Sequence, residues 1–70
     1  MAQFREMLIN TCRKHLAAHV DKHVANIEIL LSNPMGIGEH GDIMSEIEKE
    51  LEEVARYDDM LDALDNYIDV

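Results

Sequence analysis

The sequence predicts an all-α protein, an antiparallel two-helix hairpin that self-associates, most simply into a dimeric four-helix bundle. Three observations predict it. Apolar residues recur at helical spacing in two long segments of nearly equal length. Proline and glycine are confined to the single stretch between them, Asn33-Pro34-Met35-Gly36-Ile37-Gly38-Glu39-His40-Gly41. The chain has 70 residues and one cysteine, so a lone hairpin has little interior and no internal disulfide to compensate.

The first segment, helix about 3–32, carries Phe4, Leu8, Cys12, Leu16, Val20 and Val24 at four-residue steps, with Ile9, Ile27, Leu30 and Leu31 beside them. Each step turns by about 40°, so the set sweeps an arc of about 200°, wider than the stripe of about 100° that one packing partner requires. Helix one is therefore expected to touch more than one neighbour. It should end at Asn33-Pro34, because proline cannot continue the ladder and pushes the residue before it out of helical geometry.

Residues 33–41 form the hinge. Gly36-Ile37-Gly38 lacks the preceding strand, the lysine and the spacing of a phosphate-binding loop, so it is read as a connector, with Met35 and Ile37 plugging the end of the bundle.

The second segment, helix about 42–69, repeats Ile47, Val54, Leu61 and Ile68 every seven residues, with Leu51, Tyr57 and Leu64 completing the stripe. That is bundle patterning. Two starts compete: a capping box at Ser45-Glu46-Ile47-Glu48, or Asp42 as cap one turn earlier. Asp62, Asp65 and Asp69 crowd the negative end of the helix dipole, so the last turns are expected to fray unless bases from a neighbour meet them. Helices of these lengths, about 45 and 42 Å at 1.5 Å per residue, pack lengthwise. A second hairpin covers the apolar surface that one leaves wet. The mixed β-branched and leucine stripe leaves a trimer or tetramer of hairpins open.

Charge divides the chain. Its net charge is −9. Residues 1–33 hold four bases and three acids, whereas residues 34–70 hold two bases and twelve acids. The halves attract each other, and the acidity excludes a direct grip on nucleic acid or anionic membranes. No stretch approaches the roughly 20 apolar residues that span a bilayer. A start without a basic, apolar leader and a lone thiol point to the cytoplasm.

Chemistry is sparse. His15, His19 and His23 stand at successive four-residue steps, and two such imidazoles can hold one zinc or other transition-metal ion. All three cannot serve one ion, since the outer two lie about 12 Å apart along the axis. Outside ligands would come from Glu46, Glu50 or Glu53, or from a second chain; no Glu-x-x-His motif supports a di-iron centre. The competing reading places His19 and His23 in the bundle seam as neutral imidazoles hydrogen-bonded to carboxylates of helix two, and it predicts a loss of stability below about pH 6. Cys12 lacks the cleft and oxyanion stabiliser a nucleophile needs, so it is read as a small packing residue and the chain as a non-enzyme without a cofactor.

The blocks Lys22-His23-Val24-Ala25-Asn26-Ile27-Glu28, Asn33-Pro34-Met35-Gly36-Ile37-Gly38-Glu39-His40 and Ile47-Glu48-Lys49-Glu50-Leu51 resemble small uncharacterised proteins of tailed phages infecting marine cyanobacteria. The resemblance implies a viral origin and, with it, the host cytoplasm; it carries no activity and no site residues. The function expected is that of an acidic interaction or assembly protein, partnering itself and a host or phage protein. A metal-binding bundle using the His15/His19/His23 ladder is the alternative. An acidic strip imitating nucleic acid, running from Glu46 to Asp69, is the weaker one.

Overall fold

The computed structural model describes residues 2–32 and 42–68, and it is all-α. Helix α1 runs Ala2–Ser32, 31 residues, and α2 runs Ile43–Tyr67, 25 residues. They pack along their lengths into a rod of 54 × 16 × 16 Å. Arg13 meets Asp65, His19 meets Tyr57, and His23 meets Glu50. Residue numbers rise on one helix as they fall on the other, so the pair is antiparallel. The hinge, with the roles expected for Met35 and Ile37, lies outside the described residues, as does Asp69.

Helix α2 takes the earlier of its two starts. Asp42 has extended backbone angles, and its Oδ1 accepts hydrogen bonds from the N–H groups of Met44 at 3.0 Å and Ser45 at 3.5 Å. Two of the orphan donors of the first turn are thereby satisfied. Ser45 becomes the third helical residue rather than the cap. Replacing Asp42 by alanine is expected to cost about 1 kcal/mol of stability, and replacing Ser45 nearly nothing; urea titrations of the two variants check this. The other end stops at Tyr67, two residues short of the expected limit. Ile68 turns extended while its N–H still bonds Leu64 O at 3.0 Å. No basic residue sits in the last turn to meet the dipole there. Asp65, however, does find a base from the neighbouring helix, Arg13.

The packing stripe of α1 corrects the four-step set. The covered positions include Ile9, Arg13, Leu16, Val20, His23, Ile27 and Leu30, alternating steps of four and three, with Ala17, His19 and Asn26 partly covered beside them. Phe4, Leu8, Cys12 and Val24 are exposed instead. A straight partner selects a spacing of 3.5 residues, which keeps one line facing it, and an unbroken four-residue step rotates away from that line. Helix α2 answers with Ile43, Ile47, Glu50, Val54, Tyr57, Leu61 and Leu64. Leu51 is displaced from the stripe by Glu50 and stands half exposed, and Ile68 is exposed as well.

Among the described residues only Ile9, 7% exposed, and Leu16, 9% exposed, are buried; both are apolar. Every other packed side chain keeps an edge in solvent. Two helices meet along one line, so a side chain on that line is covered from one direction only.

Candidate functional site

In the middle of the hairpin His19 and His23 of α1 meet Tyr57 and Glu50 of α2. The seven-residue step from Leu16 lands on His23, and the step from Ile43 lands on Glu50, so the fold itself brings both into the stripe. His23 Nδ1 lies 2.6 Å from Glu50 Oε2, with the imidazole 12% and the carboxylate 24% exposed. Asn26 Nδ2 donates to the same oxygen at 3.2 Å. The two contacts form a polar layer across an otherwise aliphatic seam. His23 and Asn26 hydrogen-bond to Glu50 and hold its carboxyl below its ordinary value of 4.5, the His23 bond contributing most, although loss of hydration opposes the shift.

His19 is arranged differently. Its ring stacks on Tyr57, with centroids 4.2 Å apart and planes within 4°, and Tyr57 also lies parallel to His23 at 6.0 Å. The Arg56 guanidinium sits 5.3 Å from the same phenol ring. Loss of hydration lowers the His19 pKa below 6.5, and nearby His15, Lys22 and His23 add repulsion, with Glu53 pulling the other way. His15 meets His19 edge to face at 4.8 Å and is otherwise exposed.

The ladder is thus divided by environment. His23 is tied to a carboxylate in the seam, as the bundle reading expected, while His15 and His19 flank an outward depression with Ala18 and Lys22. Glu50 reaches His23, whereas Glu46 and Glu53 pair with Lys49 and Arg56 on their own helix at 3.2 and 3.5 Å. No group of three or more metal-ligating side chains comes together among the described residues. Sequence reasoning missed Asn26 as a donor to Glu50 and Tyr57 as the ring that stacks on His19. Their signal lies in position: Asn26 follows His23 by three residues on α1, and Tyr57 follows Glu50 by seven on α2.

The shifts set the direction of the pH response. His19 is harder to protonate folded than unfolded, so its contribution is complete above pH 6.5 and lost as pH falls through the lower folded value. Glu50 is also held low, so its contribution is present above pH 4.5 and lost as pH falls through its folded value. Both act in the same sense. The melting temperature is expected to fall on acidification in two stages, below about pH 6.5 and again below about pH 4.5. A His19→Asn variant should lose the first stage alone; a melting temperature that climbs between pH 7 and 5 contradicts the assignment.

Compared with protein-family models, with curated proteins and with solved structures, the chain matches none. No helix among the described residues is long and apolar enough to cross a membrane.

Proposed function

We propose that this chain is a small acidic interaction module without catalytic activity, which works as a homo-oligomer, most simply a dimer whose two hairpins form a four-helix bundle. One observation carries the reading. Among the described residues, eleven large apolar side chains are exposed against two that are buried, the reverse of what a self-sufficient domain requires. Four of the eleven share one edge. Val24 and Leu31 each follow a covered position of α1, and Met44 and Leu51 each follow one of α2, so the antiparallel register sets them side by side. A second hairpin laid on that edge would remove them from water.

The outward carboxylates Glu48, Glu52, Asp58, Asp59 and Asp62 are exposed and available to a basic protein surface, which is the kind of host or phage partner the reading assigns. A viral origin belongs to the same proposal, supported by the resemblance of the hinge and its flanking blocks to cyanophage proteins.

Sedimentation equilibrium across about a hundredfold range of concentration tests the assembly, with melting followed in parallel. The expected result is a dimer mass and a melting temperature that rises with concentration. A folded monomer with a concentration-independent melt would overturn it.

A further inference from the structure

We propose that His15 and His19 are half of a transition-metal site, completed by the same two residues of a second copy of the chain. The inference is independent of the four-helix reading, because it uses the opposite edge of the hairpin from Val24, Leu31, Met44 and Leu51.

His15 and His19 are one helical turn apart, with ring centroids at 4.8 Å, close enough for a nitrogen of each to reach one ion at about 2.0–2.1 Å after side-chain rotation. His15 is exposed, and neither ring is held by a carboxylate as His23 is. Zinc takes four ligands, and among the described residues this chain assembles no group of three. A second chain can supply the missing donors.

A second α1 supplies them with the fewest conflicts. Residues 34–70 carry −10 and residues 1–33 carry +1, so copies meeting through α1 keep their acidic helices apart. Ala18 lines the same depression as the two histidines, and its small methyl group permits an approach at the short end of the roughly 8–10 Å helix separation. An antiparallel contact centred on residue 17 sets His15 of each copy against His19 of the other, giving four imidazoles around one axis. The ion then offsets part of the repulsion between two chains of −9 each. Lys22 lines the same depression and opposes a cation there, which supplies a test of sign.

The test is titration of zinc and of cobalt(II) into the metal-stripped full chain at about pH 7.5, read by calorimetry, sedimentation and the cobalt absorption spectrum. The expected result is saturation at one ion per two chains, a doubling of the sedimenting mass relative to the metal-free species, and tetrahedral cobalt bands. His15→Ala should abolish all three while leaving the metal-free melting temperature unchanged. Lys22→Gln should tighten binding. Saturation at one ion per chain without a change of mass, binding that survives His15→Ala, or no binding at all would each overturn the proposal. The mass of the metal-free protein reports separately on the four-helix reading, so the two can fail independently.

Discussion

Leu16→Ala is expected to leave most of the protein unfolded at 25 °C. Leu16 is one of two buried residues among those described, and truncating a core leucine costs about 2–5 kcal/mol. A chain of this size draws no more than about 3–5 kcal/mol from a single apolar core. The loss therefore rivals the whole stability of the hairpin. Leu8→Ala provides the contrast, because Leu8 is 52% exposed and its truncation removes little contact within the chain. Circular dichroism at the helix band, followed through a thermal melt, separates the two. If Leu16→Ala melts within a few degrees of the parent, contacts between chains rather than the α1–α2 seam hold the protein together.

The second large effect concerns the polar layer. Glu50→Ala strips His23 and Asn26 of their shared acceptor in a half-covered seam, and a hydrogen bond to a charged group contributes about 1.5–3 kcal/mol. Replacing both sides, His23→Leu with Glu50→Leu, should recover that loss and raise the melting temperature above the parent's, since a packed apolar pair avoids the desolvation of a carboxylate. The gain has a consequence for uniqueness. His23 and Glu50 can satisfy each other in one register only, whereas leucines pack in several. The double leucine variant should therefore populate more than one associated species in sedimentation velocity. A single sharp species identical to the parent's would show that the polar layer does not specify register. A double-mutant cycle on the two positions, with a coupling of about 0.5–3 kcal/mol expected for groups in contact, completes the measurement.

The two helices were legible because their signals are local: apolar spacing, the proline at 34 and the Asp42 cap. The stripe on α1 was harder, because two of its seven positions are Arg13 and His23, and a reading that follows apolar residues passes over ionisable ones. The same bias chose Leu51 over Glu50 on α2. Each exception has its answer on the opposite helix, Asp65 for Arg13 and Glu50 for His23, and the pairing becomes visible only once the register is known. The candidate site was legible as a ladder of three histidines. Its division was not, since His15, His19 and His23 have the same spacing and differ only in what α2 places against them. The lengths of the arms explain why self-association was expected: one line of contact between two rods cannot enclose many side chains, as the exposure of Phe4, Leu8 and Ile29 shows.

The polar layer also bears on the order of folding. The contact between Asn26 and Glu50 spans 24 positions along the chain and that between His23 and Glu50 spans 27, whereas Arg13 and Asp65 are 52 apart. Each doubling of a loop adds about 0.6 kcal/mol to the entropy cost of closing it. Of these cross-helix contacts, those of Glu50 carry the lower closure cost, so they are favoured to close before the Arg13–Asp65 contact near the free ends, while the stripe residues nearer the hinge, Ile27 and Leu30 on α1 and Ile43 and Ile47 on α2, span shorter loops still. Closure is then expected to run from the hinge side through the polar layer, with Ile9 and Leu16, farther from the hinge, packing after it.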